Sequence, residues 1–167
     1  RKLASALQSL EEPRFGLSTR NIDLIRSFNR DCALGKTVLK GAKKRIGAGR
    51  LLKYVPTMKA VAFWLRTDLD QVTQDQMEEL VRRIDANDLE YFGRGKRWGK
   101  VNYTNWTRHD IKVTIKKFYK WLQGENRDYP KLVNWIDTYV EEREIPALSV
   151  EEVEKLTEYA RCARDKA

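Results

Sequence analysis

The sequence contains little cysteine or histidine and no long apolar stretch, and these shortages exclude several classes of protein. Two cysteines, Cys32 and Cys162, and a single histidine occur in 167 residues, which is too few for a zinc site. The longest apolar run, 60–65, is far shorter than the ~20 residues of a membrane-spanning helix. We therefore expect no transmembrane segment, no secretory signal and, with both thiols reduced, a cytoplasmic protein.

Acidic side chains are missing from one long stretch and nearly missing from another. Residues 35–66 contain nine basic and no acidic side chains, and residues 93–120 contain nine basic side chains and one acid, Asp110. Between them, residues 67–92 contain two basic and eight acidic side chains, and the whole chain has a net charge of +9. If the fold places the two cationic blocks side by side, they form one surface for a polyanion. The alternative is that these lysines only solvate helix faces.

Apolar residues recur at helical spacing along most of the chain, which predicts an all-α protein built as a small helical bundle. The predicted helices lie at 3–10, 18–34, 51–65, 74–84, 104–122 and 149–167. A glycine-punctuated basic loop is expected at 36–49, a basic loop or hairpin at 92–103, and a connector that contains a short helix at 124–147.

Local signals mark several helix boundaries. Thr73 with Gln76, and Ser149 with Glu152, form predicted capping boxes that start helices at 74 and 150. Pro56 interrupts the third helix, which either bends there or begins near residue 55, because proline lacks an N–H and clashes with the preceding turn.

Catalytic and nucleotide-binding motifs are incomplete. The string 35–37 ends like a phosphate-binding loop, but Arg30 replaces the first glycine and a helix precedes it rather than a strand. The string 47–49 lacks the third glycine of a dinucleotide fingerprint. His109 and Asp110 are neighbours in a helix and point ~100° apart. The sequence thus predicts no catalytic residue, metal or cofactor, and His109 lies on a helix surface or faces DNA.

The five tryptophans divide into two groups by their surroundings. Trp64, Trp121 and Trp135 have the spacing of core residues, whereas Trp98 and Trp106 stand among cations. An aromatic ring beside cationic side chains is suited to stacking on nucleic-acid bases, so Trp98 and Trp106 are candidate contacts.

Four stretches, taken in order, resemble the N-terminal part of a tyrosine recombinase of the phage integrase family, particularly the archaeal plasmid and viral integrases. They are 50–65, ending in Phe63-Trp64-Leu65 and followed by Val72-Thr73-Gln74-Asp75; 107–122, ending in Phe118-Tyr119-Lys120-Trp121-Leu122; Leu148-Ser149-Val150-Glu151-Glu152-Val153; and Arg164-Asp165-Lys166-Ala167. The resemblance covers roughly residues 20–167.

The resemblance implies a domain order and a role. Residues 18–123 would form a core-binding domain of the SAM-like type, with 1–17 as an N-terminal helix or linker, 124–147 as an interdomain connector and 148–167 as the first helix of a catalytic domain. In that family two helices face the major groove, here 50–66 and 104–122. The catalytic tyrosine set lies beyond the matched string at 164–167, so the parent protein would break and rejoin DNA for integration while this chain carries no catalytic residue.

The expected DNA contacts lie on those two helices and in the loops that flank them. Groove or backbone contacts are expected from Arg50, Lys53, Arg108, Lys112 and Lys116. Phosphate contacts are expected from the loop residues Lys43, Lys44, Arg45, Arg94, Lys96 and Arg97.

Three partners or roles remain open at this point. The first is duplex DNA, bound as part of a site-specific recombinase. The second is a non-enzymatic architectural or RNA-binding helical module, which basic helices with exposed tryptophans would also serve. The third is another copy of the chain, because the apolar face of the last helix, from Val153 to Ala163, could be exchanged between subunits.

Overall fold

Helix follows helix along the part of the chain that the computed structural model describes, which comprises residues 2–37, 45–90, 102–123, 128–139 and 148–159. The helices are α1 (Lys2–Gln8), α2 (Thr19–Ala33), α3 (Ala48–Leu65), α4 (Gln74–Asp85), α5 (Asn105–Gln123), α6 (Lys131–Asn134) and α7 (Val150–Tyr159), with 3₁₀ turns at Ser9–Glu11 and Pro13–Phe15. Within these ranges there is no β-strand, so the predicted all-α class is confirmed.

Side-chain caps fix where several helices begin. The Ser18 hydroxyl accepts a hydrogen bond from the Asn21 N–H at 3.1 Å and starts α2. Thr73 forms the predicted capping box that starts α4. At α7 the Ser149 N–H donates to the Glu152 carboxylate at 2.8 Å, and the Glu152 N–H donates back to the Ser149 hydroxyl at 3.2 Å. Each cap satisfies main-chain N–H groups that have no partner within the helix, which is why the sequence signal located these starts correctly.

The third helix differs from its prediction at its N-terminal end. It runs from Ala48 through Pro56 to Leu65, so the alternative start near residue 55 is wrong, and the loop expected through residue 49 ends two residues earlier. Pro56 is exposed, and its missing N–H leaves the carbonyl four residues before it free to be solvated. A proline on the outer side of a helix is therefore tolerated here.

An aromatic cluster joins the three longest helices. The ring of Phe28 on α2 lies 5.5 Å from that of Tyr54 on α3, 5.2 Å from Phe118 and 5.4 Å from Trp121, both on α5. The Tyr119 hydroxyl, also buried, donates to the Leu69 carbonyl at 2.9 Å. Around this cluster the fully buried aliphatic and sulfur-containing side chains include Ile25, Cys32, Met58, Val61, Met77, Ile84 and Ile115. The relative placement of α3 and α5 therefore depends on one shared core.

Segments outside the three long helices contribute to the same core. Helix α1 packs against α3, the partner that the sequence did not identify, and Leu10 after it is buried. Beyond α5, Val133 in α6 and Ile136 just after it are buried, and α6 is the short helix that was expected in this segment. The domain divisions at 17/18 and 123/124 stay predictions. Among the helices just described, none has the length and apolar character needed to cross a membrane.

The tryptophans follow their predicted division with one exception. Trp64 is buried, and Trp121 packs half-buried against the core. Trp106 is 60% exposed, and Trp98 lies outside the described residues. The core prediction is wrong for Trp135, which is 41% exposed. Because α6 has only four residues, apolar spacing there does not define a buried face.

Replacing Asn21 by alanine should lower the free energy of unfolding by about 2–3 kcal/mol. The buried Asn21 side chain donates to the Thr67 carbonyl at 3.0 Å and accepts from the buried Leu69 N–H at 2.8 Å, so its loss leaves main-chain groups without partners. Urea denaturation measures the change, and the exposed Asn134 replaced by alanine is the control. A loss below about 0.5 kcal/mol for Asn21→Ala would contradict this role.

Candidate nucleic-acid interface

The two helices that the charge pattern singled out, α3 and α5, are neighbours. Their contact includes the Asp110 carboxylate, which lies 3.2 Å from the Lys53 ammonium and 3.9 Å from the Arg50 guanidinium. Both cationic side chains remain more than half exposed. One carboxylate thus faces two cations, and exposed pairs of this kind contribute little to stability. The positive charge of α3 remains available at the junction of the two helices.

Helix α5 packs against α2, α3, α4 and α6, and its buried stripe includes Ile111, Ile115 and Phe118. At ~100° per residue, the side opposite its core stripe is formed by side chains within an arc of about 100°. They are Trp106, His109, Val113, Lys116, Lys117 and Lys120. We define the basic face as Arg50, Lys53, Lys116, Lys117 and Lys120, a set that runs from the start of α3 across α5.

The lysines of α5 in the basic face are held by aromatic rings and a carbonyl. The Lys117 ammonium lies 5.6 Å from the ring centre of Tyr54, and those of Lys116 and Lys120 lie 5.0 and 4.4 Å from that of Tyr129. Lys116 also donates to the main-chain carbonyl of residue 136 at 2.8 Å. Cation–π contacts and carbonyl hydrogen bonds restrict a side chain without cancelling its charge. These three cations are therefore ordered and still positive.

Arg108 and Lys112 turn away from the basic face and tie α5 to the end of α4. The Arg108 guanidinium donates to the Asp85 main-chain carbonyl and to the Asn105 side chain. The Lys112 ammonium lies 2.5 Å from the Asp85 carboxylate, and its side chain is only 14% exposed. In a helix each step of four residues advances the direction by about 40°, so a series 108, 112, 116 rotates from the flank to the outside. Only Lys116 of the three belongs to the basic face.

The structure describes one of the six loop residues that were expected to contact phosphates. Arg45 is exposed just before α3. Five expected contacts lie outside the described residues, namely Lys43, Lys44, Arg94, Lys96 and Arg97.

Sequence reasoning omitted Lys117 and Lys120 from the expected contacts. The available signal was their position on the helical wheel, opposite the core stripe of Ile111, Ile115 and Phe118.

Burial favours the protonated form of three side chains in the core. It raises the pKa of the Tyr54 hydroxyl and the pKa of the Cys32 thiol above their ordinary values. It also raises the pKa of Tyr119 strongly. A protonated, buried hydroxyl or thiol is a poor nucleophile.

Acidic side chains are concentrated on a different helix. Asp75, Glu78 and Glu79 lie exposed on α4, beside the Trp135 ring. Glu79 forms a close ion pair with Arg82, whose guanidinium lowers the pKa of that carboxylate. The molecule therefore separates its charges onto different elements. Within the described ranges, no group of three or more histidine, cysteine, aspartate or glutamate side chains is placed to hold a metal ion.

Comparisons with protein-family models, with curated proteins and with solved structures found no match to this chain. The functional interpretation therefore depends on the basic face itself and on the resemblance given by the order of the four sequence stretches.

Replacing Asp110 by asparagine should tighten binding to duplex DNA about three- to tenfold at low salt. The change removes the one carboxylate that faces Arg50 and Lys53, and a unit charge at 4 Å is worth about 1 kcal/mol even in water. Fluorescence anisotropy with a labelled duplex measures the affinity, and Asp75→Asn on α4 is the control. Weaker binding by Asp110→Asn would mean that Asp110 orders the two cations rather than opposing the DNA.

Proposed function

We propose that this chain binds duplex DNA through the basic face. The observation that carries the proposal is the junction of α3 and α5, where Arg50 and Lys53 lie beside the Asp110 carboxylate and Lys117 lies beside the Tyr54 ring. Phosphate groups along a duplex require cations at intervals on one continuous surface, and a set of this kind supplies sequence-independent affinity.

The dimensions of α5 support this partner. Its outward side from His109 to Lys120 extends about 16 Å at 1.5 Å per residue, close to the length of five base pairs of duplex. A single helix fits the major groove, which is about 12 Å wide. With α5 in or along the groove, Arg50 and Lys53 of α3 reach the adjoining phosphates.

We further propose that the chain is the DNA-binding portion of a site-specific tyrosine recombinase and acts in the cytoplasm. The support for the recombinase is the resemblance, including the positions of the two helices expected at the groove. The support for the location is the buried, unpaired thiol of Cys32, since a reducing compartment preserves such thiols. Catalysis is assigned to no residue of this chain.

The salt dependence of binding tests the proposal. The basic face with Arg45 offers six cations, and six to ten phosphate contacts give a slope of log K against log salt of about −5 to −9. Anisotropy titrations with a 20–30 base-pair duplex between about 50 and 200 mM salt measure this slope. A slope near zero would contradict DNA binding through these cations.

Single-stranded RNA is the second candidate, because the 60% exposed ring of Trp106 could also stack on the bases of a single strand. Competition against the labelled duplex separates the two. We expect unlabelled duplex DNA to displace the probe at lower concentration than RNA of equal charge. The reverse order would favour the RNA-binding module.

A further inference from the structure

We propose that Trp106 stacks on an unpaired base, and that the basic face consequently prefers duplex DNA containing an unstacked nucleotide over an uninterrupted duplex. The inference rests on the proposed function and adds the class of DNA that the surface selects. It assigns to Trp106 a role in specificity, whereas the lysines supply affinity for any duplex.

The indole ring of Trp106 is largely exposed and has one aromatic neighbour. Trp106 lies in the first turn of α5 and is 60% exposed. Its ring meets the His109 ring almost perpendicularly, with centroids 6.0 Å apart and an angle of 85° between the planes. A perpendicular contact with His109 occupies at most one face of the indole, and the 60% exposure of the residue leaves ring surface for a ligand.

The indole N–H distinguishes Trp106 from the other tryptophans. The indole N–H groups of Trp64, Trp121 and Trp135 donate to the Glu90 carbonyl, the Asp31 carboxylate and the Leu132 carbonyl respectively. Within the described part of the chain, the N–H of Trp106 has no such acceptor. Because Trp106 is exposed, its N–H can exchange water for a partner, so the ring presents both a stacking face and a donor.

Trp106 lies on the same side of α5 as the lysines, near the opposite end of the helix. On the helical wheel it lies about 20° from Lys117 and about 16 Å from it along the axis. The lysine half of α5 can therefore hold phosphates while the indole meets a base a few nucleotides away. Cations along a backbone combined with an aromatic ring for a base is the arrangement used to bind unpaired nucleotides.

An intact duplex offers this ring no base face, because its bases are stacked on one another. A bulged nucleotide can swing out of the helix, and one base stacked on an aromatic ring strengthens binding about fivefold to a hundredfold. Loss of the indole should therefore affect the bulged duplex and leave the uninterrupted duplex almost unchanged.

The test compares two labelled 25-base-pair duplexes of the same sequence, one with a single extra adenine at its centre. We expect the wild-type chain to bind the bulged duplex about tenfold more tightly, Trp106→Ala to bind both equally with unchanged affinity for the intact duplex, and Trp106→Phe to keep part of the preference. Trp135→Ala, which removes an exposed tryptophan beside the acidic helix α4, should keep all of it.

Equal binding of both duplexes by the wild type, or an undiminished preference in Trp106→Ala, would overturn the role of Trp106 and leave the proposed function intact. Binding of neither duplex would instead overturn the proposed function and this inference together. Circular dichroism of each variant establishes that it is folded.

Discussion

Replacing both Lys117 and Lys120 by glutamate should weaken duplex binding about a hundredfold or more at about 0.1 M salt. These residues lie at the centre of the basic face, between α3 and the Tyr129 ring. The change removes two cations that would contact phosphates and puts two anions in their place, so repulsion adds to the lost attraction. The slope of log K against log salt should also become shallower by about 2.

The control for this variant must change the net charge equally at another place. Replacing Arg82 and Lys155 by glutamate does so, because Arg82 lies on the acidic helix α4 and Lys155 on α7. The Arg82 ion pair with Glu79 is exposed, so its loss costs little stability. We expect the control to bind within a fewfold of the wild type. Equal losses in the two variants would mean that net charge, rather than the basic face, determines binding.

Replacing Phe28 by alanine should destabilise the chain by about 3–5 kcal/mol. The Phe28 ring is completely buried and contacts rings on both α3 and α5, so its removal leaves a cavity where the three long helices meet. A domain of this size has a total stability of about 5–15 kcal/mol, and the variant would lose a large part of it. Urea denaturation followed by circular dichroism measures the loss.

The same variant links the core to the interface. Because Phe28 helps to place α3 against α5, a poorly packed core should also reduce DNA affinity in proportion to the unfolded fraction. Phe28→Leu, which keeps most of the volume, should cost less than about 1.5 kcal/mol and bind DNA normally. Destabilisation below about 1 kcal/mol in Phe28→Ala would show that this ring does not organise the core.

Much of the fold could be predicted from the sequence because its signals are local. The caps at Thr73 and Ser149 each involve residues three positions apart, so they were correctly interpreted without any knowledge of tertiary structure. Helix α4 was predicted from periodicity in the same way. The partner of α1 could not be predicted from periodicity. Helix α3 is distant in the chain, and several apolar stripes could have covered Leu3 and Leu7.

The candidate site was predicted only in part, for a geometric reason. The sequence indicated that α3 and α5 carry the charge, and the structure places them in contact. It did not indicate which lysines of α5 face outward, since that depends on which neighbour covers each flank. Lys112 forms an ion pair with the Asp85 carboxylate on α4, whereas Lys117 lies over the Tyr54 ring on α3.

Protection of individual lysines from acetylation, with and without a 25-base-pair duplex, tests the central claim most directly. Each lysine is measured by mass spectrometry at partial labelling. The account predicts that DNA slows the labelling of Lys53, Lys117 and Lys120 severalfold and leaves Lys2 on α1 and Lys155 on α7 unchanged. Equal protection of all five, or protection confined to Lys2 and Lys155, would contradict the assignment of DNA binding to the basic face.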